Sequence, residues 1–207
     1  MDKEIKRKID LKDFKAVNIF MEEAEVDNFN TLRVTKDPKI VENDEATYAK
    51  LIDSDFKNGT ISVKVLSRLL PDAPSHARGF IGLAFHINET DNQFESIYIR
   101  PTNGRANIQL RRNHSVQYFS YPDFKFDRLR KENPEEYETY ADMGLNEWID
   151  MKIVVIDEQA KLYLNHSKQP TLIVNDLKLG SKNNGAIGLW VDIGTEGFFR
   201  DLVISDK

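Results

Sequence analysis

The sequence predicts an all-β sandwich of two packed antiparallel sheets, and three observations predict it. Apolar side chains alternate with a period of two across at least eight segments. Turn dipeptides such as Asn58-Gly59, Asn103-Gly104 and Asp157-Glu158 separate roughly a dozen such segments. No series of amphipathic helices alternates with them, which excludes a parallel α/β sheet.

At 207 residues the chain reads as one sandwich domain, since single β-domains reach this size. The first segments, Lys15 to Met21 and Thr31 to Thr35, are bounded by acidic and Asn-rich turns and read as edge strands. Ala46 to Ile52 then leads through Asn58-Gly59, where both residues tolerate positive φ, into Thr60 to Arg68. There Ile61, Val63 and Val65 face one way and Ser62, Lys64 and Arg68 the other.

The most informative stretch is Gly79 to Arg100, which reads as a pair of hairpin strands. Ile81, Leu83, Phe85 and Ile87 are assigned to the core; Phe80, Gly82, Ala84 and His86 take the second face. On the partner strand Ile97 and Ile99 are core, whereas Ser96, Tyr98 and Arg100 are not. Ala106 to Arg112 is expected to be a strand with Ile108 and Leu110 inward, followed by a strand from Ser115 to Tyr121. Residues 127–140 break the pattern: the segment is highly charged, begins with helical composition and is interrupted by Pro134, so it reads as a polar surface excursion at a rim. Trp148 to Ile156 pairs with Ala160 to Asn165, and Gly185 to Ile193 and Phe198 to Ile204 close the chain, with Leu189 and Val191 inward and Trp190 and Asp192 outward.

Composition excludes several functions. Without cysteine there is neither a thiol nucleophile nor a Cys-based zinc site. A net charge of −5 with interspersed signs argues against nucleic acid as partner, and the arginines at 100, 105, 111 and 112 have few aromatics among them for base stacking. No apolar h-region follows the charged start and no run reaches transmembrane length, so the expectation is a soluble chain without a membrane partner. It would be cytoplasmic as written, or exported if a signal has been trimmed. Nothing specifies an oligomeric state. There is no GxSxG, HExxH, P-loop or dinucleotide fingerprint, which removes the commonest serine, zinc and nucleotide chemistries.

If the strands are neighbours, the second face gathers His86, Tyr98, Arg100, Gln109, Arg111, Trp190 and Asp192. Aromatic plates beside planar bidentate donors and acceptors suit a saccharide, with Trp190 and Tyr98 stacking on its apolar side and Arg100, Gln109 and Arg111 bonding its hydroxyls. Each residue alone has an ordinary structural reading, as one member of a solvated sheet face or of the core. Glycoside hydrolysis would need two acids, for which Asp192 with Glu95 or Glu196 are the candidates, assisted by His86. A non-catalytic protein-interaction sandwich is the third reading.

Taken together, DFKNGTISVKV, GFIGLAFHI, ESIYIRPTNGR, QYFSYPDF, NEWIDMKIVV, AKLYLN and GAIGLWVDIGTEGFFRDLVI resemble the concanavalin A-like (laminin G-like) jelly-roll superfamily, more closely its bacterial 3-keto-disaccharide hydrolase-type domains. The likeness covers Ala46 to Ile204. It implies a jelly roll that binds or cleaves a saccharide on its concave sheet. It also implies a structural calcium in some members, for which Asp201 is the one ligand to nominate. The E-x-D-x-x-E strand motif of jelly-roll endoglucanases is absent, because Glu147-Trp-Ile-Asp150 has the wrong spacing.

Overall fold

A computed structural model describes residues 3–7 and 9–206, with side chains from 9 to 205. In chain order the strands run β1 (Lys3–Arg7), β2 (Phe14–Val17), β3 (Ile19–Val26), β4 (Phe29–Lys36), β5 (Tyr48–Leu51), β6 (Gly59–Leu69), β7 (Ile81–Ile87) and β8 (Phe94–Ile99). Two short helices follow, α1 (Pro101–Gly104) and α2 (Gln109–Asn113), then β9 (Val116–Tyr121) and α3 (Phe126–Glu132). The chain ends with β10 (Glu138–Thr139), β11 (Ile149–Ile156), β12 (Gln159–Leu164), β13 (Leu172–Val174), β14 (Ala186–Val191) and β15 (Thr195–Asp206).

The strands form two antiparallel sheets. One has the order β13-β12-β11-β6-β15-β4-β3, with β1 also paired to β15; the other runs β10-β9-β8-β7-β14-β5-β2. Their facing sides make the core. Ile61, Val63 and Val65 come from β6 and Ile149, Met151, Ile153 and Val155 from β11, against Leu83, Ile97, Ile99, Leu189 and Val191 of the other sheet. The register explains this, because Leu189 lies opposite Leu83, and Leu83 opposite Ile97, so one row of inward residues crosses three strands. Tyr118 of β9 continues the row.

The two sheets treat their other sides differently. Along β11 buried and more exposed residues alternate strictly, and Lys64 and Asp150 pair at 3.3 Å on the wet side. In β7, β8 and β14 every residue is buried. The polar, solvated face expected for Phe80, Gly82, Ala84, Tyr98 and Trp190 is therefore overlaid by chain, although the division of residues between the two faces is as the alternation predicts.

Three local expectations are corrected. Thr31 to Thr35 is not an edge strand, because β4 lies between β15 and β3. Ala106 to Arg112 is not a strand: it ends in α2, and Ile108 and Leu110 are 56% and 65% exposed rather than core. β8 pairs directly with β9, so that stretch is the connection between them and lies outside the sheet. At His86 the alternation fails. Between the pairs Ala186–Ile87 and Gly188–Ala84 the residues Phe85 and His86 oppose Ile187 alone, a bulge with His86 at φ +54°.

Candidate functional site

The second face of the β7–β8–β14 sheet begins as a row of register partners: Tyr48, Trp190, Gly82, Tyr98 and Gln117. Gly82 sits between the two large rings. A Cβ there would lie 2.6 Å from that of Tyr98, so only glycine lets Trp190 and Tyr98 meet across it, with centroids 4.7 Å apart. Phe119 packs 5.4 Å from Trp190 and Phe94 5.6 Å from Phe119, which extends the rings into a layer.

This layer is roofed at one end. The Trp190 indole N–H donates to the Glu45 carbonyl at 2.9 Å, and the Asp44 N–H donates to Asp192 at 3.0 Å. Asp44 in turn accepts the backbone N–H of Phe126, at the start of α3, at 2.8 Å. Lys36 closes the arrangement with a buried ion pair to Asp192 at 2.6 Å. Trp190 is thereby wholly buried, a floor beneath Tyr98 rather than an open stacking plate.

Beside this roof a cavity of about 490 Å³ remains, bounded by Tyr98, Arg100, Asp44 and Asp192, by Arg78 and Phe80 just before β7, by Asn103 and Arg111 of α1 and α2, and by His114, Phe126 and Arg130. Arg100 forms its inner wall. It is nearly buried, donates to the Tyr98 hydroxyl at 2.6 Å and to the His114 carbonyl at 3.0 Å, and lies over the rings of Tyr98 and Phe126 at 4.9 and 5.6 Å. Glu138 of the two-residue β10 supplies counter-charge to two guanidinium groups, bonding Arg130 at 2.7 Å and standing 4.0 Å from Arg100, and lies 3.2 Å from the His114 ring.

Burial, reinforced by the negative charge of Asp192, pushes the Asp44 carboxyl up to about 7. Burial, then the neighbouring charges of Arg111 and Arg100, lowers the Arg78 guanidinium. His114 is lowered chiefly by burial, against the pull of Glu138.

Of the residues nominated from sequence, Tyr98, Arg100, Arg111 and Asp192 line this cavity, with Trp190 beneath them. Arg111 arrives on α2 instead of a strand; Gln109, two residues earlier, points out and bonds Asn113 at 2.7 Å. The other nominees lie elsewhere. Glu95 faces the interior between the sheets, where it accepts the Tyr118 hydroxyl at 2.6 Å and the Leu179 N–H at 2.8 Å, and burial raises its carboxyl to about 7. Glu196 belongs to the opposite sheet and pairs with Arg33 at 2.7 Å. His86 is buried beside Phe56 with Nε2 2.9 Å from the Lys57 carbonyl, and burial lowers its pKa. Asp201 is exposed on β15 and bonds Arg200 at 2.5 Å; among the described residues no group of three or more His, Asp or Glu is placed to hold a metal ion. Asp44, Arg78, Asn103, His114, Phe126 and Arg130 escaped the nomination. The signal for the last two was their membership of the charged excursion and its flank.

No family model matches the sequence, and no curated protein matches it. Solved structures do match in shape. A Bacillus subtilis protein of unknown function with a galectin-like fold superposes with TM-score 0.54 at 11% identity, covering 95% of this chain and 91% of its own. The carbohydrate-binding module CBM66 of Bacillus subtilis gives 0.53 at 10% identity over 91% and 96% of the two chains. Domain 4 of an extracellular arabinanase from Geobacillus stearothermophilus, solved with arabinotriose, gives 0.50 at 12% identity over 90% and 75%. The likeness shows the fold: the chain is an antiparallel jelly-roll sandwich, the shape of that carbohydrate-binding module and of that galectin-like protein. Among its described residues no helix is long and apolar enough to cross a membrane.

Proposed function

We propose that the cavity beside Arg100 binds a saccharide. The observation that carries this reading is the meeting, in one concave site, of the half-buried rings of Phe80 and Phe126 with the planar polar groups of Arg100, Asn103, Arg111 and Asp44. The C–H face of a pyranose or furanose packs on aromatic rings, and vicinal hydroxyls match bidentate donors and acceptors. The carbohydrate-binding module and the arabinotriose-bound domain that share the fold support the same reading. Trp190 would act indirectly, by supporting Tyr98.

A glycan panel read by thermal shift, followed by isothermal titration, tests this. Phe80→Ala is expected to weaken binding of the selected sugar at least tenfold, about 1.4 kcal/mol. The absence of a shift with every saccharide overturns the proposal.

The presence of Asp44, with its carboxyl near 7, beside Asp192 favours one second reading, an acid and a carboxylate acting together in hydrolysis. Binding without cleavage fits better, because Asp192 is held by three hydrogen bonds, one of them also an ion pair: Oδ1 accepts from Lys36 and from the Ile193 N–H at 2.7 Å, and Oδ2 from the Asp44 N–H. Release of reducing ends from a bound oligosaccharide, abolished in Asp44→Asn, would reverse that preference.

A further inference from the structure

We propose that the sugar held in this cavity carries an anionic substituent, a uronic acid carboxylate or a sulfate ester, seated between Arg78 and Arg111. The inference rests on the saccharide reading and adds the ligand's charge. The cavity wall holds four guanidinium groups, those of Arg78, Arg100, Arg111 and Arg130, in a protein whose net charge is −5. Arg100 and Arg130 have Glu138 as counter-charge. Arg78 and Arg111 have none among the described residues. Arg78 donates to the carbonyls of Ser75 and Ala77 at 2.7 and 2.8 Å, and Arg111 to Asn103 at 3.1 Å and to Thr102 at 3.4 Å, all neutral.

Thr102 ties the two arginines together. Its N–H donates to the Arg78 carbonyl at 3.2 Å while its own carbonyl and hydroxyl receive the Arg111 guanidinium. Like charges so placed repel one another, and the fold does not relieve the repulsion with an acid of its own. An oxyanion entering the cavity would relieve it, and the planar fork of each guanidinium matches carboxylate or sulfate oxygens. The two acids of the wall do not cancel this field. Asp192 is paired with Lys36, and Asp44, its carboxyl raised to about 7 by burial and by Asp192, carries only part of a charge near neutral pH and less below it. Polar partners already orient both side chains, so little side-chain freedom remains to be lost on binding.

The test is isothermal titration of the intact protein with oligosaccharides of three kinds, neutral, uronate-bearing and sulfated, together with succinate as a carboxylate without a sugar. Expected is at least tenfold tighter binding of one acidic class over neutral sugars of the same length, weakening as salt is raised. Arg78→Gln and Arg111→Gln should each erase that preference with an unchanged melting temperature, whereas Lys152→Gln on the opposite sheet should leave it intact. Preference for uronates or for sulfated sugars identifies which oxyanion is held. Neutral sugars binding as tightly as acidic ones, or a preference that survives both arginine variants, overturns the charge inference and leaves the saccharide reading standing. Succinate binding as tightly as the acidic sugars overturns the saccharide reading. Binding of no probe overturns both.

Discussion

The outer face of the β6–β11 sheet and the outer face of the β7–β8–β14 sheet start from the same sequence signal and end differently. Both alternate with a period of two. On β11 the alternation leaves Asp150, Lys152 and Val154 toward water. On β14 the corresponding positions are Gly188 and Trp190, and both are buried. The difference lies in what each face carries. Lysine stems and short polar groups need no cover, whereas Tyr48, Phe94, Tyr98, Phe119 and Trp190 present too much apolar surface to leave exposed, and Asp44, Glu45 and the start of α3 close over part of it. The uncovered remainder is the cavity. The cavity is the incomplete part of a second hydrophobic layer.

The sharpest way to break this comparison is to truncate one residue on each outer face. Trp190→Ala should cost about 3–5 kcal/mol in urea denaturation, as large aromatic truncations in closed cores do. Lys152→Ala, on the wet face, should stay within about 0.5 kcal/mol. Equal costs would mean that the two faces are alike after all.

Lys36→Met should come close to the tryptophan effect, about 3–5 kcal/mol, because it leaves the Asp192 carboxylate buried without its cation. Recovery of much of that loss in the double variant Lys36→Met, Asp192→Asn would place the cost in the unpaired charge and not in the lost lysine stem.

A smaller effect of a few kcal/mol should appear in pH dependence. Asp44, under the roof, and Glu95, between the sheets, both have folded-state pKa values raised to about 7, whereas the unfolded chain ionises near 4. Between those values the unfolded state has released protons that the folded state keeps. Their contribution is therefore fully present below about pH 4 and is lost as pH rises through about 7. His86 and His114, whose pKa values are lowered, act in the opposite sense below about 6.5. The informative quantity is thus the slope of melting temperature against pH in the parent minus that in Asp44→Asn or Glu95→Gln. Each variant should remove part of the decline between pH 5 and pH 8; unchanged slopes would put these acids in contact with water.

Smallest of all is Gln109→Ala, expected to change neither stability beyond about 0.5 kcal/mol nor sugar affinity, since its amide meets only Asn113 on an exposed turn of helix.

Much of the frame was legible in the sequence because a strand with one buried face must alternate, and Ile61, Leu83, Ile97 and Leu189 do so. The second face was legible as a face, which is why Tyr98, Arg100, Trp190 and Asp192 come together. Its covering was not, because the roof is made by Asp44, Glu45 and Phe126, residues whose partners lie far along the chain. Ile108 and Leu110 misled for a simpler reason: two apolar residues two apart fit a strand or an exposed helical turn equally well. His86 was misplaced because a single extra residue in β7 ends the parity that assigned it, and no side chain announces a bulge. Glu95 carries the reverse lesson. An acid on the inward row looks like a surface residue until Tyr118 and the Leu179 N–H are found beside it.

The ion pair between Lys36 and Asp192 also has a mechanical consequence. Lys36 ends β4 of one sheet, and Asp192 directly follows β14 of the other. The bond is therefore a rivet between the two layers at the margin of the cavity, and sliding one sheet over the other would have to shear it in a place where no water can replace it. A ligand of the proposed kind would meet an entrance braced on this side, with adjustment expected at the rims supplied by α2 and α3. Amide exchange at β4 and β14 should then be slow with or without ligand, and whatever protection binding adds should concentrate in those two rims.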